Sequence, residues 1–196
     1  VQKKLVYYET SRGKLPFNKW LVSLKDRAAR SIINARLDRL VFGHYGDCKH
    51  LKDGICELRI AYGPGYRVYF GELENQTVVL LLLGVSKRTQ EKAIYKSVKT
   101  LPSHEDYLIE SLKNKKEAAA YLQVALDEYQ KDGHTEALLL ALRHVAKAQG
   151  GMAQLAEKTD LSRETLYRTL SAKGNPKLQT LGRLLGGLGF HLVIKS

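Results

Sequence analysis

The sequence predicts an α+β protein: an antiparallel sheet with helices, followed by an all-α region that ends in a helix-turn-helix. Three observations carry this. "ICELRIA", "YRVYFGEL" and "TVVLLLLGV" are successive β-patterned runs between residues 55 and 85; the first two alternate and the third is continuously apolar, as in a strand covered on both faces. Past Leu101–Pro102 strand patterns give way to apolar residues three and four apart, the helical period. "MAQLAEKTDLSRETLYRTLSAKGNP" has two short helical patterns joined by "TDL", with a serine placed to cap the second. The expected organisation is therefore residues 1–101, a helical segment 102–149 and a helix-turn-helix domain 150–196.

The 196 residues suffice for one large domain or two small ones, and 44% hydrophobic with 27% charged residues is a globular composition. No apolar run approaches the ~20 residues needed to span a bilayer, and the stretch after Lys3 and Lys4 is too short for a signal peptide. The expectation is a cytoplasmic chain without membrane contact, with Cys48 and Cys56 as reduced thiols and a disulfide between them as the alternative. Net charge is +12, unevenly spread. Residues 1–101 hold 19 Lys/Arg against 9 Asp/Glu, residues 102–150 hold 6 against 8, and residues 151–196 hold 7 against 3. Polyanionic partners are favoured at both ends.

Element by element, "KLVYYET" is a short strand broken by "SRG". "PFNKWLVSL" opens with Pro16 in a first helical turn, where proline is tolerated. "AARSIINARLDRLVFG" is a second helix, with Gly43 as its stop. "HYGDCKHLKDG" reads as a polar loop, the three β runs follow, and "RTQEKAIYKSVKTL" reads as a short helix. Beyond it, "EDYLIESLK", "KEAAAYLQVALDEYQ", "HTEALLLALRHVAKAQ" and "LQTLGRLLGGLG" read as helices, and "FHLVIK" as a β-like tail.

The hairpin "LRIAYGPGYRVYFGEL" carries an arginine on each side of its turn. Side chains alternate along a strand, so Leu58 and Ile60 share one face with Arg59 opposite, and Tyr66, Val68 and Phe70 share one with Arg67 opposite. If both apolar sets line one core, the arginines emerge together; a one-residue slip separates them. Lys87 and Arg88 follow the apolar strand, Tyr95 lies two turns further on, and Lys49, His50 and Lys52 precede the hairpin. The set pairs with no Asp/Glu dyad and no His/Cys metal spacing, so neither a metal nor a cofactor is expected. Guanidinium and ammonium groups suit stabilisation of charge on a phosphoryl oxygen, and RNA can supply its own 2′-hydroxyl as nucleophile.

"LKDGICELRIAYGPGYRVYFGEL…VVLLLLGVSKRTQ" resembles the RelE/ParE superfamily of bacterial toxins, in its HigB-type branch, over nearly all of residues 1–101. The resemblance implies a ribosome-dependent mRNA endonuclease with the ribosome and mRNA as partners. Arg59 and Arg67 would act at the scissile phosphate, Lys87 or Arg88 in support, Tyr95 as a helix aromatic, and Lys49, His50 and Lys52 on RNA. His44 and His50 are the candidate bases. A ParE-like gyrase inhibitor is the variant reading.

In the second half, Ser162 caps a helix whose Leu166 and Leu170 form its buried side. Arg163, Glu164 and Tyr167 then lie where a recognition helix reads base edges, and Gln154, Thr165, Arg168 and Lys173 where phosphates are held. Asp160 occupies the turn position where glycine is commoner. Residues 103–190 resemble HigA-type antitoxins of the Xre-like helix-turn-helix class. Together the resemblances imply a toxin–antitoxin module in one chain: the halves contact each other, the second neutralises the first, and the module binds operator DNA as an autorepressing homodimer. The alternative is a DNA-binding transcriptional regulator with a catalytically inactive toxin-like domain.

Overall fold

The computed structural model describes residues 2–51, 54–73 and 102–193, and the backbone of 77–81. The chain divides into two compact units, Val1–Tyr107 and Leu108–Ser196. The first is α+β and the second helical.

In the first unit β1 (Lys4–Tyr7) leads to α1 (Pro16–Ser23) and α2 (Arg27–Val41), then to β2 (Cys48–His50), β3 (Ile55–Ile60), β4 (Tyr66–Leu73) and β5 (Thr77–Leu81). The five strands lie in the order β1-β5-β4-β3-β2. Every pairing is antiparallel except that of β1 with β5. Pro16 sits in the first turn of α1, and the Asp26 carboxylate accepts from the Ala28 and Ala29 N–H groups to cap α2. Gly43, at φ +83°, turns the chain out of α2. One face of the sheet packs Leu5, Tyr7, Leu58, Val68 and Phe70 against Phe17 and Leu21 of α1 and Ile33, Leu37 and Leu40 of α2.

The polar stretch expected to be all loop contains β2. It pairs with β3 as an edge strand, so backbone hydrogen bonding forms it without an apolar alternation to announce it. The unit runs past the composition change at Leu101–Pro102 because the chain there is tied to β1. Tyr7 N–H donates to the Pro102 carbonyl at 3.0 Å, Ser103 bridges to Val6, and the Tyr7 hydroxyl meets His104 Nδ1 at 2.9 Å. The helix expected over "RTQEKAIYKSVKTL" lies outside the described residues. Cys48 and Cys56 are free thiols. Burial, then the neighbouring Cys56, pushes the Cys48 thiol up to about 11, which keeps it in its unreactive protonated form at neutral pH.

The second unit holds α3 (His104–Leu112, whose first turn belongs to the first unit), α4 (Lys115–Asp132), α5 (Thr135–Ala148), α6 (Gly151–Thr159), α7 (Arg163–Thr169) and α8 (Leu178–Leu188). Asn114 caps α4 through the Lys116 and Glu117 N–H groups. Leu112, Tyr121, Leu139, Leu142, Val145, Leu155, Leu166 and Leu184 are buried, and the buried Tyr121 hydroxyl is satisfied by His144 Nδ1 at 3.0 Å. The β-like tail is not formed among the described residues: Phe190–Val193 follow α8 without strand structure. After Gly189 ends the helix, Phe190, His191 and Leu192 line an apolar cleft with Leu122, Leu126, Leu142 and Leu185. Among the described residues no helix is long and apolar enough to cross a membrane.

Candidate functional site

The β3–β4 register decides whether the two arginines act together. Leu58 pairs with Val68, Arg59 with Arg67 and Ile60 with Tyr66. Because side chains alternate, Leu58 and Val68 enter the core while Arg59 and Arg67 stand directly opposite each other on the sheet's other face, both exposed. The turn that sets this register places Gly63 and Gly65 at positive φ, +55° and +80°, where side chains are disfavoured. Residues directly opposite in an antiparallel pair have Cβ atoms about 4.5–5.5 Å apart, and like charges there repel.

Beside the pair lies a residue that sequence reasoning passed over. Glu57, two positions before Arg59 on the same face, is buried. Its Oε1 accepts from Arg59 Nε at 2.7 Å and its Oε2 from the Tyr69 hydroxyl at 2.7 Å. The hydrogen bonds from Arg59 and Tyr69 hold the Glu57 carboxyl below the usual carboxylate range. The Tyr69 hydroxyl is pushed up by the bond to Glu57 and by burial, with Arg67 acting the other way. The carboxylate fixes the Arg59 Nε edge, and the Arg59 side chain stays 42% exposed. Period-two alternation marks Glu57 as sharing the arginines' face; its contact with Tyr69 is a cross-strand pairing that only the register supplies.

A cleft of about 660 Å³ opens at the arginine pair, lined by Trp20, Asp47, Ile60, Ala61, Pro64, Gly65 and Tyr66 with Arg59 and Arg67. Trp20 comes from α1 and its ring lies 6.3 Å from that of Tyr66, inclined at 61°. Asp47, exposed and just ahead of β2, is held by its own carbonyl, which accepts from the Arg59 N–H at 2.9 Å. Trp20 and Asp47 come from other parts of the sequence than the hairpin, and no local pattern announces them.

The remaining expected residues divide by face. Lys49 pairs with Glu57 and so belongs to the arginines' face, where it is exposed. His50 pairs with Cys56 and faces the other way, with its Nδ1 3.1 Å from the Cys56 sulfur. Strand alternation therefore removes His50 from the arginines as an RNA ligand or a base. His44 lies in the connection after α2, off the sheet. Lys52, Lys87, Arg88 and Tyr95 lie outside the described residues.

In the second unit α6 and α7 are joined by Asp160, Leu161 and Ser162. Asp160 is in the left-handed region at φ +51°, the one non-glycine residue there among those described. The Ser162 hydroxyl accepts from the Thr165 N–H at 3.1 Å. Two arginines satisfy helix C-terminal carbonyls: Arg183 donates to Thr159 and Asp160, and Arg143 to Leu170 through Nε and Nη2 at 3.1 and 2.7 Å. Leu166 and Leu170 are buried, while Arg163, Glu164, Tyr167 and Arg168 of α7 are exposed, as are Gln154 and Lys173. Thr165 is half-buried, its hydroxyl bonded to Ser162.

A family match bears on this unit. Residues 104–196 match the model of a family described as "probable addiction module antidote protein". Two relatives from Haemophilus influenzae are both described as uncharacterized proteins. One is 51% identical over 80 residues, 41% of this chain and 80% of the relative. The other is 32% identical over 75 residues, 38% of this chain and 76% of the relative. No solved structure matches the chain.

Proposed function

We propose that this chain, whose residues 104–196 belong to the family of probable addiction module antidote proteins, carries the toxin of the same module in its first unit. That membership gives the chain a role in an addiction module, a toxin–antitoxin system. In the proposed reading the first unit cleaves mRNA on the ribosome, and the second neutralises it and binds operator DNA through α7 as an autorepressing dimer. The observation that carries the toxin reading is the register that sets Arg59 opposite Arg67 on an exposed sheet face. A phosphodiester anion between the two relieves their repulsion, and the relief grows as charge builds on the phosphoryl oxygens. The 2′-oxygen attacks phosphorus, the bond to the 5′-oxygen breaks, and a 2′,3′-cyclic phosphate and a 5′-hydroxyl result; the 2′ proton leaves to solvent and the 5′-oxygen takes one up. Glu57 is a positioning group in this scheme. With both oxygens bonded and its pKa lowered, it is a poor proton acceptor at neutral pH, but it fixes Arg59 and Tyr69.

For the second unit, support comes from the exposed polar side of α7 beside its buried leucines, the arrangement in which Arg163, Glu164 and Tyr167 reach base edges while Gln154, Arg168 and Lys173 hold phosphates. The decisive experiment is induction of residues 1–107, which keep the Ser103 and His104 contacts to β1, followed by primer extension on ribosome-bound mRNA. Cleavage within codons that Arg59→Ala abolishes is the expected result. Intact mRNA with unchanged growth overturns the toxin reading and leaves a regulator with an inactive first unit; DNA damage without mRNA cleavage points to gyrase instead.

A further inference from the structure

β2 is an edge strand of three residues, at the short limit for a strand, and its backbone bonds hold it to β3 alone. Its core-side face carries side chains that bind more than a neighbouring strand. Cys48 and His50 alternate along β2 and share a face, and the register sets Cys56 of β3 directly opposite His50. The three side chains form one line of contacts. The Cys48 thiol donates to the Cys56 sulfur, and that sulfur lies 3.1 Å from His50 Nδ1. Cys56 is buried, Cys48 half-buried and His50 exposed, so the line runs from the core to solvent. Glu72 of β4 belongs to the same face as Phe70, the partner of Cys56. Its carboxylate acts on both thiols and on His50, and its Oε1 is held by Lys3 and Tyr45.

We propose that Cys48, His50 and Cys56 form a zinc site on the core-side face of the β2–β3 edge, with water in the fourth position. Two thiolates and an imidazole are the donor set that selects zinc among the common divalent ions. Zn–S is about 2.3 Å and Zn–N about 2.0–2.1 Å, so ligand atoms around one tetrahedral ion lie roughly 3.5–3.8 Å apart. The 3.1 Å between Cys56 and His50 is within a few tenths of that spacing, and the thiol pair is already in hydrogen-bond contact. What the ion still requires is a turn of the exposed His50 ring toward Cys48. On binding, each thiol gives its proton to solvent, the two thiolates neutralise the ion's charge, and no electron moves. Thiolates alone would add to a corner that already holds Glu72 and Asp47, whereas a divalent cation offsets them. Neither "CKH" nor its distance to Cys56 has zinc-ligand spacing in the sequence; the register assembles the set. The ion would clamp β2 to β3 behind Asp47, whose carbonyl accepts from the Arg59 N–H. The site is independent of whether the first unit cleaves mRNA.

The full-length protein, reduced and stripped with a chelator, is titrated with Co²⁺ as a coloured stand-in and then with Zn²⁺. Cys48 and Cys56 are the only cysteines of the chain, so a thiolate-to-cobalt charge-transfer band in the near ultraviolet reports on this site alone. The band is expected to saturate at one equivalent, together with the visible bands of a tetrahedral ion, and zinc is expected to abolish both. Zinc should also raise the melting temperature, because it binds the folded chain. Cys48→Ser and His50→Ala lie at accessible positions, and their fold is checked by melting in chelator. Each is expected to weaken cobalt binding by more than the ~10–100-fold that loss of a second-shell partner costs. His191→Ala, an exposed histidine of the second unit, should leave the titration unchanged. No near-ultraviolet band at excess cobalt, equal affinity in the native protein and Cys48→Ser, or a melting temperature that zinc does not raise each overturns the inference.

Discussion

Two arginines directly across a strand pair repel each other, and a sheet optimised for stability would put a β-branched or aromatic residue at one of the positions. Glu57 relieves part of the repulsion, but its salt bridge runs to Arg59. Arg67→Thr removes the opposed charge and supplies a residue with high strand propensity, so it is expected to stabilise the protein by up to about 1 kcal/mol. The same change removes half of the anion grip. The expected pair of outcomes is a raised melting temperature together with loss of RNA binding, while Arg67→Lys keeps the charge and raises nothing. A fall in melting temperature for Arg67→Thr would mean that Arg67 holds the sheet together and is not held ready for an anion. Alternation points the two arginines the same way on the condition that both apolar sets line one core, and the register meets that condition. Asp47 and Trp20 were out of its reach, because their approach to the arginines depends on how β2 and α1 dock on the hairpin.

The elements of the second unit are held at close quarters, and one glycine shows how close. A Cβ on Gly187 of α8 would lie 2.5 Å from Thr159 Cγ2 and 3.0 Å from Leu155 Cδ1 of α6, so the helices meet where only glycine fits. Gly187→Ala is expected to cost about 1–3 kcal/mol as overpacking, read as a lower urea midpoint at unchanged slope. Gly186→Ala, one position away with open space around its Cβ, serves as control and should gain helix propensity without a clash. Most helices here were legible because their period and caps are local: Ser162 and the apolar spacing are within one turn of what they specify. β2 and the tail were not. An edge strand of three residues is defined by the partner that hydrogen-bonds it, and among the described residues of the tail Phe190 and Leu192 line a cleft between helices, a use that alternation does not announce. The Gly187 contact is equally silent in sequence, since "GRLLGGLG" does not say which glycine faces another helix.

On the scale of the whole chain, charge is segregated more sharply than fold. Residues 151–196 carry 7 Lys/Arg against 3 Asp/Glu, next to a stretch, 102–150, with 6 against 8. In the second unit Arg163, Arg168 and Lys173 are exposed, while Arg143 and Arg183 bond helix carbonyls and serve the fold. The two groups should separate in a DNA-binding experiment on the full-length chain. Each phosphate neutralised by a cation contributes about 0.9 to the slope of log affinity against log salt. Arg168→Ala and Lys173→Ala are each expected to lower that slope by roughly one and to weaken all sequences alike, whereas Arg163→Ala should cost about 1–3 kcal/mol on the operator and relax its preference at one base pair. Arg143→Met is expected to weaken binding with the slope unchanged, because it loosens the end of α7 that Leu170 closes without removing a phosphate contact. Equal slopes for the native protein, Arg168→Ala and Lys173→Ala would leave the basic surface of this unit with a partner other than the DNA backbone.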